Sequence, residues 1–183
     1  MARRVAYQGA VGAFSHEACR TFLPDYEPVQ YDSFAAVADA VAGGEAERGA
    51  LPLRNNVAGE VPGTQALIDS RGLRILEERP LAIRIQLLAL PGATLDSIRS
   101  VVSHPMALGQ CTRFIAEHGL ATVEESNTAV AARSLSESGD LTRGVLASEF
   151  AAETYGLAIL ARNVHDRPDN ATLFAIVARA EDQ

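Results

Sequence analysis

Two pairs of polar residues stand where a strand should hand over to a helix: Ser15 and His16 near the start, Ser103 and His104 further on. The first turn of a helix leaves backbone N–H groups unpaired and carries partial positive charge. Two such ends facing one cleft would suit a small anion, above all a dicarboxylate. The plainer reading makes the two serines N-caps and nothing more. Other chemistries are narrowed by composition. All 16 Lys+Arg positions are arginine, so there is no lysine for a Schiff base or a Walker A loop. That removes most pyridoxal-phosphate and class I aldolase reactions. His16, His104, His118 and His165 show no metal-ligand spacing, and Cys19 and Cys111 form no Cys/His cluster. Neither a metal nor another cofactor is expected, and both thiols read as small buried residues on the helices that open each half.

The elements that would carry these residues repeat. Val5–Gly9 reads as a strand, Gly12 to His16 opens a helix, a strand follows near Val29, a helix runs through Phe34–Ala38, and Arg48-Gly49-Ala50-Leu51 closes the unit. The order then returns: a strand at Val101–Val102, a helix opened by Ser103-His104-Pro105, a strand at Ala121–Glu124, a helix from Asn127-Thr128, and Arg143-Gly144-Val145-Leu146. Such a repeat predicts an α/β fold of two similar lobes with a ligand cleft between them. Between the copies, Gly63–Ser70 reads as a short helix and Leu73–Leu90 as a long alternating extended run. Pro80 cannot donate to a sheet ladder, so the run is expected to change sheets there. Phe150–Tyr155 ends a helix at Gly156, Leu157–Leu160 is a strand, 163–170 a polar loop, and Leu173–Ala178 a last strand returning to the first lobe. The expected division is 1–78 plus 164–183 for the first lobe and 79–163 for the second.

At 183 residues, 48% hydrophobic and with a mean hydropathy of +0.04, the chain suits one compact domain or two small lobes. A net charge of −7 and a pI near 5.1 argue against nucleic acid or an acidic membrane as partner. The basic start Met1-Ala2-Arg3-Arg4 is followed by too short an apolar run for a signal peptide, and no stretch approaches a membrane span. A cytoplasmic protein is expected.

Four segments carry the reading further: Tyr7 to Ala18, Ala50 to Val61, Ser103 to Cys111, and Asn170-Ala171-Thr172-Leu173-Phe174. Together and in this order they resemble the catalytic domain of prephenate dehydratase, and Asn127-Thr128-Ala129 and Ala152 to Leu157 match further family segments. The resemblance runs from Val5 to Val177. It implies a two-lobed fold of the type II periplasmic-binding kind and a cofactor-free conversion of prephenate to phenylpyruvate in phenylalanine biosynthesis. It further implies a homodimer with a small-molecule substrate, prephenate or a related cyclohexadienyl carboxylate. Thr172 matches the threonine assigned as the acid toward the departing ring hydroxyl, and is read as a positioned hydrogen-bond donor. Asn55 and Gln110 match polar family residues and complete the expected catalytic set, with an amide contact from Asn55 to substrate. Ser15, Arg54, Asn56, Ser103, His104, Asn127, Thr128, Leu173 and Phe174 are the expected substrate-binding positions, although His104 also suits a brace before Pro105.

The departures are as informative. Arg54, Asn56 and Met106 stand where the family usually has Glu, Ser and Gln, and Leu173 where it has Arg. Arg54 could therefore take over carboxylate binding from the lost arginine, since a bidentate Arg–carboxylate contact is strong and directional. Many family members continue into a phenylalanine-binding ACT domain. The sequence stops at Gln183, from which no feedback through such a domain is expected. Three alternatives stay open: an arogenate dehydratase, a non-aromatising decarboxylase, or a non-catalytic protein that binds a small carboxylate.

Overall fold

The computed structural model describes residues 2–181, so Met1, Asp182 and Gln183 of the expected first lobe lie outside the described residues. In chain order the elements are β1 (Arg4–Gln8), α1 (Phe14–Phe22), β2 (Glu27–Tyr31), α2 (Phe34–Ala42), β3 (Arg48–Asn55), β4 (Gly59–Glu60), α3 (Thr64–Ser70) and β5 (Leu73–Ala82). Then come β6 (Gln86–Ala89), β7 (Ser100–Ser103), α4 (Pro105–Gly109), α5 (Thr112–Glu117), β8 (Ala121–Glu124), α6 (Thr128–Ser138), β9 (Arg143–Ala147), α7 (Glu149–Tyr155), β10 (Ala158–Ala161) and β11 (Ala171–Arg179). The fold is mixed α/β with two sheets.

The chain divides into two compact units. The first holds residues up to Gly9, Phe14–Ala82 and the chain from Asn170 onward; the second holds Ala10–Ala13 and Ile83–Asp169. The change-overs at 82/83 and 169/170 fall a few residues after those expected at 78/79 and 163/164. The first sheet has the order β2-β1-β3-β11-β5, with β4 paired to β3; the second has the order β10-β6-β9-β7-β8. Read from the other edge, the second sheet copies the first. A parallel trio (β2-β1-β3, β8-β7-β9) is extended by two antiparallel strands (β11-β5, β6-β10). The sequence repeat is thus a topological repeat.

Each trio is closed by an Arg-Gly strand, and the glycines have a packing reason. A Cβ on Gly49 would lie 3.0 Å from both Val177 and Val41 and 3.3 Å from Val37, because α2 sits directly on this point of the sheet. A Cβ on Gly144 would come within 2.7 Å of Leu87 and 3.3 Å of the Leu88 carbonyl. The cores grow around these contacts. In the first unit Val37, Ala38 and Val41 of α2 pack with Ala6, Leu51, Ala175 and Val177; in the second Ala131, Ala132 and Leu135 of α6 pack with Leu88, Val145 and Ala151. Gly49→Val should lower unfolding free energy by about 1–3 kcal/mol through overpacking, measured by denaturant titration. An unchanged midpoint would mean that α2 sits less closely than described.

Helix starts follow from their capping residues. Ser33 accepts from Ala36 N to cap α2, Asn127 from Ala129 N to cap α6, and Ser148 from Ala151 N to cap α7, which ends at Gly156 in the left-handed region. Two expectations are corrected. Strand β5 runs unbroken through Pro80, and the passage between sheets is at residues 83–85. On an edge strand only one side is laddered, so a missing N–H is tolerated there. Cys111 does not lie within a helix but at the N-cap of α5. Both thiols are fully buried, and burial pushes each up to about 12, which leaves them unreactive at neutral pH.

Candidate functional site

The antiparallel pairing of β3 and β11 builds the polar cluster of the first unit. Thr172 lies directly opposite Asn55, so their side chains share one face of the sheet. This pairing depends on a bulge. Phe174 faces Pro52 but Leu173 faces Arg54, so β3 carries Leu53 as an extra residue next to a proline that has no N–H to give. A one-residue slip changes which side chains share a face. Were Leu53 paired regularly with Leu173, Arg54 rather than Asn55 would meet Thr172.

Asn55 is held on all sides. Its Oδ1 accepts from Val57 N at 2.8 Å and Ala58 N at 2.9 Å, closing the turn into β4. Its Nδ2 donates to Asn170 Oδ1 at 2.9 Å and to Thr172 Oγ1 at 3.0 Å. A primary amide has two N–H donors and one oxygen with two lone pairs, and here every one is used. Asn55 is 7% exposed and Asn170 3%, whereas Thr172 is only partly buried. Asn55 therefore cannot make the expected amide contact to a substrate without giving up a bond; its work is to hold Thr172. Because Thr172 Oγ1 accepts from Asn55, its own proton is left to donate elsewhere. Asn170 belongs to this cluster and was not among the expected site residues.

Other expected residues have different work. The Asn56 Oδ1 accepts from Ala171 N at 2.8 Å while Asn56 N donates to Ala171 O, extending the strand pairing. Phe174, on the face of Thr172, is 2% exposed and belongs to the core. Arg54 and Leu173 pair with each other, one position along from Asn55 and Thr172, and so project from the opposite face. There they line a shallow groove of about 160 Å³ with Glu60, Gln65 and Glu78. Arg54 also stands opposite Glu60 of β4, a cross-strand placement that favours opposite charges. The family's usual Glu and Arg at the positions of Arg54 and Leu173 would face each other across β3 and β11. Here Arg54 faces the apolar Leu173 on β11 and Glu60 on β4. Carboxylate binding by Arg54 would therefore take place on the sheet face opposite Thr172. Arg54→Ala should leave the Michaelis constant and kcat within about twofold, the range of an ordinary surface change. A tenfold rise in the Michaelis constant in steady-state assays would contradict this placement.

Ser15 is not a cap; it lies inside the first turn of α1, half-buried. Its neighbour His16 stacks on Tyr7 with ring centroids 4.9 Å apart, and burial, then the charge of Arg20, lower its pKa. In the second unit Ser103 ends β7, fully buried, and its hydroxyl donates to Leu146 O at 2.6 Å, so it braces the sheet and presents nothing to a ligand. His104 is the N-cap of α4, its Nδ1 accepting from Met106 N at 3.1 Å. Asn127 caps α6 through its Oδ1, and Thr128 is the half-buried residue that follows it. Gln110 is half-buried at the end of α4, where its carbonyl accepts from Asp166 N at 2.7 Å. Asp166 in turn caps α5, accepting from Thr112 and Arg113. Burial would raise its pKa, but these bonds outweigh burial and hold it below the usual carboxylate value. The structure thus brings Asn55 and Thr172 together and adds Asn170, while Gln110 keeps its expected role through the resemblance alone.

The prephenate dehydratase family pattern matches residues 5–182, nearly the whole chain. The chain belongs to the prephenate dehydratase family. Among its relatives, a bifunctional N-acyl-homoserine lactone acylase/prephenate dehydratase of Komagataeibacter europaeus is 40% identical over 177 residues, covering 97% of this chain and 63% of that protein. The chloroplastic arogenate dehydratase/prephenate dehydratase 1 of Arabidopsis thaliana is 36% identical over 176 residues, covering 96% and 45%. The chain thus spans roughly half to two-thirds of the length of these relatives. The crystal structure of prephenate dehydratase from Arthrobacter aurescens, a complex with L-Phe, superposes with a TM-score of 0.88 at 28% identity, covering 96% of this chain and 60% of that one. A periplasmic substrate-binding protein of an ABC transporter from Coxiella burnetii shares the fold alone, at a TM-score of 0.51 and 14% identity over 98% and 86% of the two chains. Among the described residues no helix is long and apolar enough to cross a membrane.

Proposed function

We propose that this member of the prephenate dehydratase family converts prephenate to phenylpyruvate, carbon dioxide and water. The observation that carries the reading is the state of Thr172: an oxygen already occupied by Asn55 Nδ2 at 3.0 Å, with a proton left to give. The chemistry asks for little more. As the bond from the ring to its carboxylate breaks, the electron pair enters the ring and completes the aromatic system. The carboxylate leaves as carbon dioxide, and the ring hydroxyl departs with a proton as water. Charge grows on that departing oxygen in the transition state, and a preorganised O–H donor stabilises it there more than in the ground state. Free threonine is a very weak acid, so Thr172 acts as an oriented donor at the leaving oxygen and the proton comes ultimately from solvent. Nothing in these steps needs electron transfer or a Lewis acid, and the reading includes no cofactor. It extends to a cytoplasmic homodimer acting in phenylalanine biosynthesis.

The test is to incubate the protein with prephenate at neutral pH and follow phenylpyruvate by its absorbance in alkali. Catalytic product formation supports the reading. Prephenate loss without phenylpyruvate points to a non-aromatising enzyme, and saturable binding without turnover to a carboxylate-binding protein. Arogenate is the second substrate to try, since the Arabidopsis relative is named for both acids; it would lose the same groups and yield phenylalanine. The name of the Komagataeibacter relative favours a separate assay for hydrolysis of acyl-homoserine lactones. The buried thiols, pushed up to about 12, are not candidates for its nucleophile, which leaves a hydroxyl or water.

A further inference from the structure

Asn170 stands two residues before Thr172, at the end of the loop that leads into β11, and is 3% exposed. Its Oδ1 receives one of the two Asn55 amide hydrogens at 2.9 Å, across 115 residues of chain. We infer that Asn170 is a positioning residue for the proposed reaction: by taking one hydrogen of Asn55, it obliges the other to point at Thr172 and so turns the Thr172 proton outward. The inference rests on the dehydratase reading of this cluster.

The argument is geometric. The terminal torsion of an asparagine side chain is soft and broad, so one contact does not fix the plane of its amide. At Asn55 the oxygen is fixed by Val57 N and Ala58 N, which decides which end of the amide faces Thr172. The rotation about that axis is fixed only when a second N–H is also tied, and Asn170 ties it. With the amide plane locked on both sides, Thr172 Oγ1 is held as an acceptor, and its O–H cannot turn back toward Asn55. Without Asn170 the Asn55 amide can swing, and a hydroxyl with no fixed acceptor role samples several rotamers, only one of which serves a leaving group.

The neutral amide at 170 also has a chemical reason. A carboxylate would accept from Asn55 equally well, but it would place a negative charge beside the binding place of a doubly negative substrate. The two functions of the side chain, acceptor and uncharged group, can therefore be separated by substitution. Asn170→Ala removes the acceptor; Asn170→Asp keeps it and adds charge.

Steady-state kinetics of parent, Asn170→Ala and Asn170→Asp with prephenate form the test, with folded fraction measured for each. Asn170→Ala is expected to lose about 10- to 100-fold in kcat with the Michaelis constant within about threefold, the pattern of an interaction that matters in the transition state. Asn170→Asp should recover kcat to within about tenfold of the parent while raising the Michaelis constant by about tenfold or more through like-charge repulsion. A merely structural asparagine gives a different pattern: both variants lose activity in proportion to unfolded protein, with unchanged constants for the folded remainder, and that result overturns the inference. Should Asn170→Ala not fold, Asn170→Asp decides alone, since a collapsed kcat with an unchanged Michaelis constant also overturns it. A parent inactive on both prephenate and arogenate rejects the dehydratase reading and removes the inference with it. An active parent matched by both variants rejects the inference only.

Discussion

Thr172→Val should lower kcat by about 10²- to 10⁴-fold, the range for removing a single positioned donor or acid at a reacting group. Valine keeps the β-branched shape that suits β11, so the strand and its pairing to Asn55 survive. The hydroxyl is lost and Asn55 is left with one unanswered N–H, which costs about 1–3 kcal/mol of stability. Binding should change little, because the donor acts on charge that appears only as the ring hydroxyl departs. The companion Thr172→Ser keeps the oxygen and its bond from Asn55 and should retain most activity. Full activity in Thr172→Val, measured as phenylpyruvate formed per folded enzyme, would remove Thr172 from the mechanism.

Asn55→Asp is expected to be nearly as damaging, at about 10²- to 10³-fold in kcat. Aspartate keeps an oxygen for Val57 N and Ala58 N, so the turn into β4 is preserved. It has no N–H to offer. Thr172 would then face a carboxylate instead of an amide donor, and its proton would turn inward to that oxygen. The variant therefore reverses the direction of one hydrogen bond while leaving the backbone in place. It separates a positioning role from a substrate contact. The added charge should also raise the Michaelis constant, as at Asn170→Asp, so kcat separates the two roles: if Asn55 merely touched the substrate, kcat would be preserved.

What the sequence made legible was local. The helices read through Phe34–Ala38 and from Asn127-Thr128 are real, because helix starts and apolar spacing act over a few residues. The repeat was legible for the same reason, since each parallel trio is built from short consecutive units. The sheet boundary was not. Pro80 reads as a break unless β5 is known to lie at an edge, and edge position depends on β11, far along the chain. The cluster shows the same limit. Thr172 and Asn55 were found through family resemblance, yet their shared face depends on the Leu53 bulge, and nothing near residue 53 in the sequence specifies which strand it will pair with. Arg54 drew attention because its charge departs from the family pattern, but charge type does not say which face a side chain takes. Asn170 lies in the matched segment, but its bond to Asn55, 115 residues away, is legible only in the fold. Ser103 and His104, polar types at a strand end, hydrogen-bond to Leu146 O and Met106 N, and for His104 that is the brace its place before Pro105 suggests.

The most direct measurement is a crystal structure of the protein with an unreactive prephenate analogue that keeps the ring hydroxyl. The predicted result is that hydroxyl within hydrogen-bond distance of Thr172 Oγ1, about 2.5–3.0 Å, with Asn55 Nδ2 still bonded to both Thr172 and Asn170. An analogue seated away from Thr172, or Asn55 turned out of its bonds to hold the ligand, would contradict the account.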